Sequence, residues 1–208
     1  MRRILLLAHR VPVSGAFTLN DLAGGAGRMD EVARSVSTAF TLSNDLRRDT
    51  EMTVLFVAEP PPRARRIRLV GPRLRFLNPD ERSTAALLKN ALVRSIPAER
   101  ETEASPGLFV GPVDPEAEVR EFAGLPGAFW LTESGSPLRE SPLLDGGFAA
   151  VLSDPYDPSE AEAALLVSLG LPKLALGPRS IRSSQCLDVL HNEADQREAA
   201  AAARARAP

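Results

Sequence analysis

Apolar and polar positions alternate along this chain in a way that separates strands from helices. Short apolar runs occur at Ile4–His9, Met52–Ala58, Ile67–Val70, Gly107–Val110, Ala128–Thr132, Phe148–Leu152 and Lys173–Leu176. Each is strand length and bounded by turn or charged residues, which predicts buried strands. Val32, Val36, Ala39 and Phe40 instead fall at helical spacing, predicting a helix over 29–43. Asn78-Pro79-Asp80-Glu81 places a cap, a first-position proline and acids in a first turn, predicting a helix to about Ser95. Asp114-Pro115-Glu116 repeats the device before a helix to about Phe122. Asp157-Pro158-Ser159-Glu160 repeats it again, with Glu160 three residues after the cap as in a capping box. That helix ends near Gly170, a C-cap glycine. A last helix starts at Ser183 or Ser184 and runs to about 200.

The second half therefore alternates helix and strand, which reads as α/β with a mostly parallel sheet. The first half is mixed α/β. A Pro/Glu-rich connector, Pro97–Pro106, is either a linker or a surface loop within one domain. From Ala199 the chain is alanine and arginine, a fraying helix end.

Composition narrows the class. A chain of 208 residues can bury roughly 70% of its unfolded surface without staples. One cysteine excludes an intrachain disulfide and suits a reducing cytoplasm. The start, MRRILLLAHR, imitates a signal peptide. Its apolar run is shorter than the roughly 7–15 residues of such a segment, so it reads as a first strand. No stretch approaches the roughly 20 apolar residues of a membrane span.

A formal net charge of -2 gives no global attraction to nucleic acid. Locally, RARRIRLVGPRLR packs arginines from Arg63 to Arg75. Arginine suits bidentate phosphate contacts, but a charge run is equally a solvated face.

Candidate chemistry sits at strand ends, where open α/β sheets bind ligands. The tips Glu133-Ser134-Gly135-Ser136, Ser153-Asp154-Pro155 and Gly177-Pro178-Arg179-Ser180 are small and permissive. Either they let a ligand approach backbone closely or they are ordinary turns. No G-x-G-x-x-G or Walker loop supports a dinucleotide or nucleotide triphosphate. The run Ala23-Gly-Gly-Ala-Gly-Arg28 ahead of the first helix suits an anion, or is a flexible loop beside an Asp30–Arg34 surface pair. Cys186 and His191 invite a nucleophile reading. Five residues apart on a helix, they do not share a face, so Cys186 belongs with the apolar side and His191 is a structural or interface residue.

The motifs LNDLAGGAGRMDEVARSVSTAFTLSNDLRRD, NPDERSTAALLKNAL, SPGLFV and LALGPRSIRSSQCLDVLHNEAD occur in this order across most of the chain. In them the chain resembles the archaeal tRNA (pseudouridine-54) N1-methyltransferases, the TrmY family, and their bacterial relatives. The resemblance implies a SPOUT methyltransferase fold over 1–208, with a C-terminal trefoil knot. It divides the chain into an RNA-facing part (1–105), a knotted cofactor-binding part (106–200) and a flexible tail (201–208). It implies S-adenosylmethionine as cofactor, RNA (tRNA above all) as partner, a cytoplasmic homodimer, and neither metal nor membrane. It places the cofactor against Leu131, Ser153, Leu176, Gly177, Pro178, Arg179, Ser180, Ile181 and Cys186. It turns Asp30, Arg34, Asp45 and Arg47 toward the target base, with Asp30 the first choice and Asp45 the second to handle the N1 proton. The chain departs from the family at Asn44, where a histidine is frequent, at Ser153, where glycine is frequent, and at Ala33 and Ser35 in the first helix. Two alternatives share the fold: methylation of a different RNA nucleotide, or a non-catalytic RNA-binding dimer.

Overall fold

The computed structural model describes residues 1–57, 64–95 and 98–206, and these build an eight-stranded sheet. Its strands are β1 (Arg2–Ala8), β2 (Thr50–Phe56), β3 (Arg65–Val70), β4 (Thr102–Ser105), β5 (Leu108–Pro112), β6 (Ala128–Pro137), β7 (Phe148–Ser153) and β8 (Lys173–Ala175). Five α-helices accompany them among the described residues: α1 (Met29–Phe40), α2 (Glu81–Ser95), α3 (Pro115–Ala123), α4 (Glu160–Ser168) and α5 (Ser183–Arg206). The spatial order is β4-β5-β3-β2-β1-β7-β6-β8. From β2 through β1, β7 and β6 to β8 every pairing is parallel; from β2 out to β4 every pairing is antiparallel. The mostly parallel and the mixed halves expected from the sequence thus belong to one continuous sheet.

The run MRRILLLAHR is the central strand. Parallel strands covered on both faces read as continuous apolar stretches, which is why β1 has no alternation in sequence. Its residues still divide by side. Ile4, Leu6 and Ala8 join the core under α1, α2 and α5 with Val32, Val36, Leu88, Leu187 and Leu190. Leu5 and Leu7 join the opposite core under α3 and α4 with Val119, Phe122 and Leu166. Each such leucine contributes roughly 1.5–3 kcal/mol on burial.

Helix starts are displaced from two expectations. Asp80, not Asn78, caps α2, its carboxylate accepting from Ser83 N at 2.8 Å. Ser159, not Asp157, caps α4, and Glu162 closes the capping box. In both, proline precedes the cap rather than following it. Asp114 caps α3 as expected, with Pro115 in the first turn. Gly170, at φ +69°, ends α4 in the left-handed conformation that favours glycine. Helix α1 stops at Phe40 because Thr41 turns into an antiparallel bridge with Leu46.

Three other expectations are corrected. The connector contains β4, an edge strand on β5. Residues 133–136 are not a strand-end loop; they lie inside β6, which pairs with β8 at Trp130–Leu131 and again at Ser136–Pro137, buckling between. The tail is helical through Arg206, while 207 and 208 lie outside the described residues, as do Ala58, Arg63 and Pro97.

Arg2 anchors the foot of α5. Its side chain is 1% exposed and pairs with Asp49 at 3.1 Å, Asp195 at 2.6 Å and Glu198 at 3.0 Å. His191 lies beside it, 5.9 Å from the Phe148 ring centroid. Burial, with Arg47 and Arg2 nearby, pushes its imidazole down to about 3, so it is neutral and structural.

Candidate active site

Beyond the carboxyl end of β7, β6 where it buckles, the loop after β8 and the start of α5 enclose a cavity of about 720 Å³. That lies within the usual range for small-molecule sites. Leu131, Ser153, Leu176, Gly177, Arg179, Ser180, Ile181 and Cys186 all line it; Pro178, in the same loop, does not. Residues that sequence reasoning did not name as site residues complete the wall, notably Arg28, Glu31, Trp130, Asp157 and Arg182. Arg28 had a signal: it ends the glycine run, and it holds φ +69° with a full side chain. Glu31 had none, because nothing in helical spacing reveals which neighbour a buried carboxylate will meet.

The walls are tied together by specific bonds. Ser183 Oγ donates to Ser153 O at 2.5 Å. Glu31, 1% exposed, accepts from Ser184 N at 2.9 Å and Ser184 Oγ at 2.7 Å, so a carboxylate from α1 satisfies the first turn of α5. Ser180 Oγ donates to Glu133 at 2.6 Å and holds that carboxylate below its ordinary range. Burial, then Glu133 and Glu31, push the Cys186 thiol up to about 11. A thiol so protonated is a wall, not a nucleophile.

His9 is the keystone of the β7 end. Asp154 accepts from His9 N at 2.8 Å and Tyr156 N at 3.1 Å, and lies 2.9 Å from His9 Nδ1. His9 Nε2 lies 3.1 Å from Glu162, the capping-box residue of α4. Burial opposes the charged imidazole, but the two carboxylates outweigh it and push the group up to about 9. Glu162 falls to about 2 against its own burial, through His9 and Ser159.

The four side chains expected to face the base are not brought together within one chain. Asp30 and Arg34 sit on the first turns of α1, 2.6 Å apart, near the cavity. Asp30 is 6% exposed and also takes Arg28 Nε at 2.9 Å; burial raises it, yet Arg28 and Arg34 leave it below the ordinary carboxylate range. Asp45 and Arg47 lie beyond the far end of α1. Arg47 pairs with Asp195 at 2.7 Å, and Asp45 is exposed and pairs with Arg48 at 3.1 Å. Ser184 and Asp195 mark the two ends of this separation on α5, roughly 16 Å apart at 1.5 Å per residue. The glycine run binds no outside anion through Gly24 and Gly25, since their amides donate to Asp21 at 2.8 and 2.7 Å.

The cavity fits an adenosyl sulfonium by the chemistry of its lining. Trp130, Leu131, Leu152 and Leu176 give apolar walls, while Glu133 and Asp157 give acceptors for hydroxyl and amino groups. A Cβ added at Gly177 would meet no atom within 4 Å, so the loop leaves open space where backbone can be approached. Among the described residues no group of three or more His, Cys, Asp or Glu could hold a metal ion, and no helix is long and apolar enough to cross a membrane.

This fold and cavity are those of a methyltransferase class. Residues 1–199 match the family model described as "Putative SAM-dependent RNA methyltransferase", and the chain belongs to that family. Among individual relatives, it is 40% identical to the tRNA (pseudouridine(54)-N(1))-methyltransferase of Methanocella arvoryzae, covering 95% of this chain and 100% of that one. The enzyme of the same name from Methanosarcina acetivorans is 38% identical, over 96% and 93% of the two chains. The crystal structure of Archaeoglobus fulgidus Nep1 bound to S-adenosylhomocysteine shares the fold with a TM-score of 0.66 at 16% identity, covering 95% of this chain and 98% of that one.

Proposed function

We propose that the protein transfers the methyl group of S-adenosylmethionine to N1 of a pseudouridine in tRNA. In this reading it works in the cytoplasm as a homodimer of SPOUT fold. The observation that carries the reading is the convergence of loops after β7 and β8, the buckle of β6 and the start of α5 on one cavity. The relatives' names supply the substrate. The trefoil knot belongs to this reading through the resemblance of the chain's motifs to the family.

When bound, S-adenosylmethionine supplies an electrophilic methyl group. The residues of this chain have to orient it and exclude water; orientation alone can contribute roughly 7–11 kcal/mol. Of the four base-facing candidates, Asp30 and Arg34 lie near the cavity, and Asp30 holds Arg28, which lines it. With two arginines on it, the Asp30 carboxylate is a poor proton acceptor and serves to aim Arg28. Arg28 lines the cavity and balances charge developing on the uracil oxygens. The N1 proton leaves to solvent at the open mouth. Arg34 braces both Asp30 and Glu31, and Arg47 braces α5.

The test is direct. Purified protein, S-adenosylmethionine and a pseudouridine-containing tRNA should yield N1-methylpseudouridine by nucleoside mass spectrometry, and uridine-containing tRNA should yield none. Equal transfer to both, or no calorimetric binding of S-adenosylhomocysteine, would sink the proposal.

A further inference from the structure

The mouth of the cavity carries arginines that the fold does not use. Arg10, Arg179 and Arg182 are exposed, and no carboxylate pairs with their guanidinium groups among the described residues. Arg179 and Arg182 line the cavity. Arg10 stands over the Tyr156 ring, 3.9 Å from its centroid, and Tyr156 follows Asp154 and Pro155 of the cavity wall. The stacking fixes one guanidinium at the edge without consuming its donors.

Two backbone amides at this mouth are already engaged. The first amide of α5 that could face the mouth, Ser184 N, is taken by Glu31, and Arg182 N donates to Gln185 Oε1 at 3.1 Å. The cavity interior is the reverse of its rim, with Glu31, Glu133, Asp154 and Asp157 in the lining. Acid within suits a sulfonium; free guanidinium at the edge suits an anion that stays outside. The chain as a whole is at -2, so long-range attraction to RNA has to come from such a local patch.

We infer that Arg10, Arg179 and Arg182 form a clamp for the RNA phosphates that flank the target nucleotide, positioning the strand over the cofactor cavity. This rests on the reading of the protein as an RNA methyltransferase. The competing anion at the same place is the carboxylate of the cofactor itself, and the two sources separate experimentally.

The full-length protein carrying Arg10→Gln, Arg179→Gln and Arg182→Gln together is compared with wild type and with Arg120→Gln on α3. Binding of the tRNA transcript is followed by fluorescence anisotropy between about 50 and 200 mM salt. Each single-strand phosphate contact contributes about 0.7 to the slope of log affinity against log salt. The triple variant should therefore lose about 2 from the slope and roughly tenfold or more in affinity. Arg120→Gln should match wild type, and a triple Arg→Lys variant should recover most of the slope. Affinity for S-adenosylhomocysteine should stay within about twofold in Arg120→Gln and in Arg10→Gln alone, neither of which lines the cavity, and Arg10→Gln alone should still lose about 0.7 from the slope. An unchanged slope and RNA affinity in the triple variant would overturn the clamp, and a parallel fall in S-adenosylhomocysteine affinity would reassign these arginines to the cofactor. RNA binding is read without methyl transfer, so a wild-type protein that binds RNA but transfers no methyl group defeats the function and leaves the clamp standing.

Discussion

Arg66, Arg68 and Arg73 on the antiparallel side of the sheet are closed in by acids, and Arg10, Arg179 and Arg182 at the mouth of the cavity stand open. Arg66 and Arg68 project from β3 into Glu101, Glu118 and Glu51, and Arg68 and Arg73 also lie over the Phe109 ring. The run RARRIRLVGPRLR is the densest positive stretch of the chain, yet Arg66, Arg68 and Arg73 are spent on acids from β2, α3, β4 and the segment before β4. Arg10, Arg179 and Arg182 are scattered singly in sequence and meet no such acids. Density of like charge along a chain therefore says little about its partners. The counter-charges that folding delivers decide.

The contrast can be broken from either side. The largest effect is expected from Gly135→Ala in the parallel half, where the new Cβ would lie against Leu174 backbone. It should cost about 4 kcal/mol or more of unfolding free energy, or prevent folding, as read by denaturant melts. Gly146→Ala is the comparison, because a Cβ there meets nothing within 4 Å; at φ +82° it should cost only about 1 kcal/mol. Asp154→Asn strikes a closed charge cluster of the parallel half. It leaves a buried imidazolium with Glu162 alone and should cost about 3 kcal/mol, with at least about a tenfold loss of S-adenosylhomocysteine affinity by calorimetry.

The same cluster predicts a pH dependence. His9 is at about 9 when folded against an ordinary 6.5, so its stabilisation is complete below 6.5 and is lost as pH rises through about 9. Glu162 acts in the opposite sense, losing its share as pH falls from 4.5 through about 2. The groups facing His9 are Asp154 and Glu162. The melting temperature of wild type should fall across the alkaline window, and that of His9→Gln should stay flat there.

Opening the closed side should do less. Glu101→Gln removes the acid shared by Arg66 and Arg68, leaves them Glu118 and Glu51, and should cost about 1 kcal/mol without changing cofactor affinity. A gain in RNA affinity from the partly freed arginines would show that pairing, not position, keeps β3 from binding RNA. The smallest effect belongs to Cys186→Ala, about threefold in S-adenosylhomocysteine affinity. With its thiol at about 11, only about a thousandth is thiolate at pH 8, so alkylation should be far slower than for an exposed cysteine.

Much of the cavity was legible because its parts are local. Strand tips with small residues mark themselves, and the segment from Leu176 to Ile181 with Cys186 lies in one conspicuous stretch. The buckle in β6 was not legible, since Glu133 to Ser136 look like a turn until β8 pairs on both sides of them. Nor was β4, whose polar edge strand carries too few apolar residues to show a period. Asp45 and Arg47 stood near Asp30 in sequence and far from it in space, because a helix of 12 residues lies between.

By itself the sequence determined seven of the eight strands, the helices, the family and most of the loops that approach the cofactor, since each is written in short-range pattern: apolar runs, caps, glycines and a linear motif. Tertiary structure alone decided which charges are free. Whether an arginine faces an acid or open solvent depends on residues that come from other parts of the chain, and at 3–4 Å range that meeting is fixed by packing rather than by any periodicity.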